Sequence, residues 1–161
     1  MTTICLTTEI PASIETCFDL SRSIDVHLIS TWETHEKAIA GKTSGLLNEG
    51  EEVTWKANHF GVWLTMTIRM AEMKRPYMFT DVMVNGPFKS ISHMHTFKQS
   101  NEKTLMIDRF EYETPFGPFG NLFDKLCLKA HLTSLLMKRN ALIKKLSSQK
   151  DKDLFLMSPD P

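Results

Sequence analysis

Two histidines and an aspartate are the residues of this chain whose spacing is best suited to chemistry. His93 and His95 stand two residues apart in a run of strand-like alternation, so both side chains should project to the same side. If the following turn pairs Gln99 with Thr104, Asp108 lies across from His95. A carboxylate beside imidazoles can transfer protons, hold a carbonyl or hydroxyl group of a ligand, or form a buried structural pair.

The same cluster raises the question of a metal site. A His-x-His pair with a carboxylate can hold zinc and leave one position open for water, but a third nitrogen or sulfur ligand is missing from the motif. Tyr112 would extend the cluster along the same face of the strand. The orientation of Asp81 stays open, because the Asn85-Gly86 turn allows two registers that point its side chain to opposite faces. We therefore predict no metal site and no cofactor.

Motifs for other chemistries are incomplete. Gly41-Lys42-Thr43 is similar to the end of a phosphate-binding loop, but Glu36 occupies the position of the first glycine of that loop. The sequence has no Ser/His/Asp order and no glycine-rich dinucleotide motif. The other histidines have no evident partner and are expected at the surface or at helix ends: His27, His35, His59 and His131.

Composition narrows the classes of function. The chain has 161 residues, 42% hydrophobic and 24% charged, which is typical of one globular domain. Nineteen basic residues balance nineteen acidic ones, which argues against nucleic-acid binding. The chain begins without a basic, apolar leader and has no run long enough to span a bilayer, so we expect a cytoplasmic protein without stable membrane insertion.

Two further groups of residues receive an ordinary interpretation. The three cysteines are widely spaced and are expected to be free thiols in a reducing compartment: Cys5, Cys17 and Cys127. Basic residues crowded near the C-terminus are interpreted as a solvated helix face: Lys125, Lys129, Lys138, Arg139, Lys144 and Lys145.

The periodicity of the sequence predicts the elements that must position these residues. The alternation of residues 3–10 predicts a strand. Two short helices are predicted to follow, the first with Ser13 as its N-cap and the second beginning after Ser23. From Glu52 onward the period is two, with turn residues that divide the run into antiparallel hairpins. Arg109 alternates with Asp108 and should point to solvent if Asp108 points inward.

After Gly120 the spacing becomes helical and predicts one long helix. One apolar stripe is traced by Leu122, Phe123, Leu126, Ala130, Thr133, Met137 and Ala141. A second set widens it: Leu128, Leu132, Leu135, Leu136, Leu142, Ile143 and Leu146. Such a helix laid across a curved sheet should leave a ligand cavity.

The predicted lining of this cavity combines sheet and helix residues. We expect ligand contacts from Trp55, Leu64, Met66, Ile68, Ile91, His93, His95, Phe97, Asp108, Phe110, Tyr112, Leu126, Ala130, Thr133 and Met137. No residue is assigned a catalytic role, although the His93, His95 and Asp108 cluster supplies the candidates.

Three segments resemble a known superfamily. They are Phe79-Thr80-Asp81 leading to Gly86-Pro87-Phe88, Ile91 to Phe97, and Asp108 to Tyr112 leading to Pro115 to Gly120. The chain resembles the SRPBCC superfamily, which includes START lipid-transfer domains, the birch-pollen allergen group and polyketide cyclases and dehydratases. Within it, the chain looks like a bacterial subfamily of unassigned function, found alone or beside a short-chain epimerase-like domain.

The resemblance and the order of elements together imply an α+β helix-grip fold. A curved antiparallel sheet of about seven strands would wrap around the long C-terminal helix, with two short helices after strand 1. The expected ligand-binding domain is 1–148, followed by a flexible tail, 149–161. Ile91 and Met83 stand where the family often has tryptophan and glutamine, which implies a less polar cavity there.

The resemblance leaves two functions open. The first is binding or carriage of a small hydrophobic molecule, such as a lipid, an aromatic or a polyketide-like compound, without catalysis. The alternative is a polyketide cyclase- or dehydratase-like enzyme that uses the His/Asp cluster for proton transfer. An epimerase-like protein is a further partner that the resemblance suggests, and the chain could be a monomer or a homodimer.

Overall fold

The computed structural model describes residues 1–148, which form a seven-stranded antiparallel sheet and four helices. The strands are β1 (Thr2–Ile10), β2 (Lys37–Gly41), β3 (Glu52–His59), β4 (Val62–Lys74), β5 (Met78–Asn85), β6 (Ser90–Ser100) and β7 (Lys103–Glu113), in the spatial order β1-β7-β6-β5-β4-β3-β2. The helices are α1 (Ile14–Ser21), α2 (Ile24–Ser30), α3 (Gly117–Phe123) and α4 (Lys129–Ser147). The predicted flexible tail, 149–161, lies outside the described residues.

Two serines begin the short helices, as the sequence predicts. The Ser13 hydroxyl accepts a hydrogen bond from the backbone N–H of Thr16 at 3.3 Å, and the Ser23 hydroxyl accepts one from Val26 at the same distance. Each bond satisfies an N–H group that has no partner within the first helical turn. These local caps begin the helices, and hydrogen bonds from the Ile14 N–H to Gln99 and from the Thr104 hydroxyl to the Ala12 carbonyl fix the turn after β1 against the β6–β7 hairpin.

The long C-terminal helix is continuous across a π-helical turn. Helices α3 and α4 are joined by the wider turn Asp124–Leu128, so that the whole element runs for 31 residues. We call this element the long helix. It confirms the predicted fold class: α+β, with seven antiparallel strands, two short helices after β1 and a long helix at the C-terminus.

The long helix faces the sheet with a different side from the main predicted stripe. Leu126 and Met137 are 74% and 58% exposed, whereas Leu128, Ile143 and Leu146 are buried. The buried side also contains polar residues, which is why apolar spacing selected the wrong stripe. Those residues include Asp124 and Asn140, whose side chains are hydrogen-bonded to strand residues.

The apolar residues of the described chain form two hydrophobic clusters. The larger contains Phe18, Phe79 and Phe97, which are almost completely buried and contact one another edge to face or at a tilt. The smaller is built around Ile91 and Tyr112. Within residues 1–148, no helix has the length and apolar character needed to cross a membrane.

Candidate functional site

A cavity of about 530 Å³ lies between the sheet and the long helix. Its wall takes apolar side chains from both hydrophobic clusters, including Ile24 and Val53 from one and Ile91 and Leu128 from the other. The volume is within the range of small-molecule sites, roughly 300–1,000 Å³. The cavity can therefore hold a small organic molecule.

A buried polar cluster stands at this wall, centred on Asp108. The Nε2 atom of His93 lies 3.1 Å from Oδ1 of Asp108, and the amide nitrogen of Asn140 donates to Oδ2 at 2.7 Å. The Nδ1 atom of His95 is 2.8 Å from the same Oδ1, but the angles do not form a hydrogen bond. His95 pairs with Asp108 across the β6–β7 hairpin, and Gln99 with Thr104, so the predicted register is confirmed.

Asp81 completes this cluster from the neighbouring strand. Residues that are directly paired in antiparallel strands point to the same face, and Asp81 is paired with His93. The Oδ2 atom of Asp81 lies 3.7 Å from Nε2 of His95, and the residue also lies on the cavity wall. The two-way choice that the sequence left open is thus decided: the carboxylate faces inward. Arg109 is exposed, as the sequence predicts.

Tyr112 does not join the polar cluster. Its hydroxyl donates to Oδ1 of Asp124 in the long helix, and the Thr2 hydroxyl donates to Oδ2 of the same carboxylate at 2.6 Å. Burial, together with the Asp124 charge, raises the pKa of Tyr112 well above its usual range. The predicted four-residue cluster is therefore corrected. Tyr112 fastens the long helix to β1 and β7 instead.

Arg139 is a functional candidate that the sequence interpretation missed. The residue lies on the cavity wall, and its guanidinium donates to the backbone carbonyl of Ser21. The Nε atom is buried and has no hydrogen-bond partner in the described structure. Burial lowers the pKa of Arg139, while the charges of Asp108 and Asp81 oppose that shift. A position predicted to be part of a solvated helix face is thus a half-buried cation at an apolar cavity.

Three of the four remaining histidines also lie on the cavity wall. The His27 ring is 3.0 Å from the Glu36 carboxylate, and Nδ1 of His59 is 3.0 Å from Nε2 of His131. The expectation that they are unpartnered surface residues is wrong for these three, because their partners lie outside their own helix or strand. His35 is exposed, as expected.

No protein-family model matches the chain, and no curated protein matches it. Several solved structures, by contrast, match the chain in their fold. A START superfamily protein from Mycobacterium smegmatis superposes with a TM-score of 0.67 at 13% identity, covering 89% of this chain and 98% of that chain. The chain shares the fold of this START superfamily protein. The resemblance to the SRPBCC superfamily is confirmed at the level of the fold.

Two other structures share this START-type fold. A protein from Thermus thermophilus has a TM-score of 0.70 at 19% identity and covers 91% of this chain and 100% of its own. The ginseng major latex-like protein 151 from Panax ginseng has a TM-score of 0.62 at 16% identity, covering 92% and 98%. At these identities the comparisons establish the fold and leave function to the site.

The residues predicted to contact a ligand fall into three groups according to where they lie relative to the cavity wall. Seven lie on the cavity wall: Trp55, Leu64, Met66, Ile68, Ile91, His93 and Phe110. Four are almost fully buried behind the wall, where helices cover that part of the sheet: His95, Phe97, Asp108 and Tyr112. The four helix residues lie away from the wall, because the long helix turns its other side to the sheet: Leu126, Ala130, Thr133 and Met137.

The polar cluster of this START-type fold should make the protein sensitive to acid. Burial, reinforced by the His95 and Arg139 charges, lowers the pKa of His93 to about 4, although Asp108 opposes the shift. A histidine with a lowered folded-state pKa contributes stability that is present above its unfolded value of about 6.5 and is lost as the pH falls. Although burial opposes the shift, the hydrogen bond from His93 and the neighbouring His95 also lower the pKa of Asp108, and the stability that this carboxylate contributes is lost only as the pH falls below about 3.8.

We therefore expect stability to fall between about pH 6.5 and pH 4. Urea denaturation across this range should show the loss. NMR titration of the His93 ring, assigned with His93→Gln, should give a pKa near 4, whereas exposed His35 serves as the reference in the same spectra. A His93 pKa at or above the ordinary histidine value would contradict the prediction.

Proposed function

We propose that this chain binds a small, mainly hydrophobic molecule in its cavity and carries it without chemical change. The observation that carries the proposal is the cavity itself: about 530 Å³ bounded mostly by apolar side chains. An apolar void of this size forfeits packing energy when empty, and a ligand would restore it. The likeness to a START superfamily protein is consistent with this function.

The few polar groups on the wall suggest the kind of ligand. Asp81, His93 and Arg139 offer hydrogen-bonding groups at the cavity wall, as do the three other wall histidines, His27, His59 and His131. An apolar body with one or two polar groups, as in a fatty acid-like, aromatic or polyketide-like molecule, would match this distribution. A cytoplasmic location, an epimerase-like partner and the choice between monomer and homodimer remain predictions.

Native mass spectrometry of freshly purified protein, followed by organic extraction, tests the proposal directly. A stoichiometric apolar molecule would support it and identify the chemical class of the ligand. Protein that is empty, and that also fails to bind a panel of fatty acids and aromatic probes, would refute it.

A pair of tryptophan substitutions on the long helix tests where the ligand lies. Leu132 lines the cavity, whereas Met137 is 58% exposed on the other side of the helix. Leu132→Trp should fill part of the cavity and weaken binding of a fluorescent fatty-acid probe at least tenfold. Met137→Trp should leave the affinity unchanged. Equal affinities for the two variants, both folded by circular dichroism, would place the ligand elsewhere.

The enzyme alternative rests on one observation: His93 stands on the cavity wall with its imidazole held by Asp108. Such an imidazole could accept a proton from a bound substrate. A polyketide-like substrate would then close a ring or lose water on incubation with the wild-type protein, and chromatography with mass spectrometry would detect either product. Replacement of His93 by an apolar residue of similar size would abolish that turnover, but would only shift affinity in a carrier.

A further inference from the structure

We propose that Asp81, His93 and His95 form a binding site for a divalent transition-metal ion such as zinc. Each residue offers one ligand atom, and the three atoms lie within 4.8 Å of one another. Two imidazole nitrogens with a carboxylate oxygen suit zinc, cobalt and related ions. The carboxylate in this group is that of Asp81, not Asp108 as the sequence suggested, because the pairing of Asp81 with His93 brings it in from the neighbouring strand.

Unpaired polar atoms mark the position of the ion. Both ring nitrogens of His95 lack a hydrogen-bond partner in the described structure, although the residue is only 1% exposed. Oδ1 of Asp81 is likewise buried and unpaired. Each such group carries a desolvation cost on the order of 1–3 kcal/mol, which is why buried polar groups almost always have partners. One cation between Asp81 and His95 would satisfy atoms of both residues.

Asp108 is hydrogen-bonded to the imidazole of His93 and lies beside that of His95, on the side away from Asp81, where a carboxylate behind a metal site would stand. Its Oδ1 lies 3.1 Å from Nε2 of His93 and 2.8 Å from Nδ1 of His95, and Asn140 holds its other oxygen. Each ring thus has one nitrogen beside the carboxylate and the other free for an ion. Nε2 of His95 is the nitrogen that faces Asp81, at 3.7 Å. Metal-binding histidines are commonly held in this way.

Charge and space are also compatible with a cation. Two carboxylates, Asp81 and Asp108, stand against the single guanidinium of Arg139, so neutral imidazoles leave one negative charge. Ligand atoms around tetrahedral zinc are roughly 3.3–3.5 Å apart, so the present atoms, which lie within 4.8 Å of one another, need to close by about 1.5 Å at most. Asp81 and His93 lie on the cavity wall, so a remaining coordination position would face the cavity and its ligand.

Titration of the metal-stripped full chain tests this inference. Co²⁺ should bind at one equivalent and give visible absorption without a thiolate charge-transfer band, and Zn²⁺ should displace it. Asp81→Asn and His93→Gln should each lower the Zn²⁺ affinity at least tenfold. His131→Gln is the matched control, because His131 is also a cavity-wall histidine with a histidine partner, and its affinity should equal that of the wild type.

Exposed Cys5 is a competing ligand on the surface, and Cys5→Ser should likewise leave the affinity unchanged. Absence of stoichiometric binding would overturn the inference, as would binding that survives Asp81→Asn and His93→Gln or is lost in either control. Circular dichroism of each variant establishes that it folds. Because no organic molecule enters the titration, its failure would leave the proposed carrier function standing, and failure of ligand extraction would leave the metal site standing.

Discussion

Replacement of Asp108 by alanine is expected to lower the free energy of unfolding by about 3–5 kcal/mol, the usual cost of removing one member of a buried charged network. Asp108 is 1% exposed and accepts hydrogen bonds from His93 and Asn140. Its removal leaves His93 without this partner, leaves the Asn140 amide with only the weaker bond to the Thr8 hydroxyl at 3.2 Å, and takes a negative charge from the neighbourhood of Arg139. Urea denaturation at pH 7 measures the loss.

Two further variants show whether the charge or the shape of Asp108 matters. Asp108→Asn keeps the volume and one carbonyl oxygen, so it should be less destabilising than the alanine variant. Arg109→Gln is the matched control, because Arg109 is adjacent in sequence but exposed, and its free energy of unfolding should stay close to that of the wild type. An alanine variant as stable as this control would show that the polar cluster does not stabilise the fold.

Replacement of Phe79 by alanine should be comparably damaging, at about 3–5 kcal/mol. The ring is completely buried, contacts Phe18 edge to face at 5.3 Å between ring centroids, and stacks on His95 at 4.3 Å. Truncation leaves a void that aromatic neighbours on opposite layers cannot close. It also removes the surface against which the His95 ring lies, so the His95 NMR signals should broaden or shift.

Tyr77→Ala provides the control for this experiment. Tyr77 is two residues away in sequence but 63% exposed, so its loss should cost about 0.5 kcal/mol or less. Phe79→Leu, which refills most of the void, should recover part of the stability. If the Phe79→Ala and Tyr77→Ala variants unfold at the same urea concentration, the aromatic contacts around Phe79 do not contribute as the structure indicates.

Local signals account for the parts of the fold that the sequence predicts well. Ser13 and Ser23 each bond to a backbone group three residues away, so a short window of sequence contains the whole interaction. The β6–β7 hairpin has a tight turn, and its register places His95 opposite Asp108 without reference to the rest of the chain. These two predictions are therefore confirmed.

Weakly patterned elements were harder to identify. Strand β2 (Lys37–Gly41) is a largely exposed edge strand and has no buried alternation to reveal it. For the long helix, the sequence predicted the wrong side as the one that faces the sheet. Its exposed side is rich in apolar residues, and its buried side includes Asp124 and Asn140. Polar residues can occupy a buried side when distant residues supply their hydrogen bonds. Hydrophobic periodicity depends only on nearby residues and therefore contains no information about those partners.

The sequence by itself determined the order of the elements, the α+β class and the inward-facing His93, His95 and Asp108 group, because periodicity and one tight hairpin specify them. Only the tertiary structure decided that Asp81 joins this group, since the pairing of β5 with β6 stops at Val82 and Ser92, and residues 83–91 between them do not form the tight turn from which a register could be counted. It also decided that Arg139 faces the cavity, since the rotation of the long helix is set by its contacts with distant strands. A side chain's environment depends on such long-range contacts, which short-range spacing does not contain.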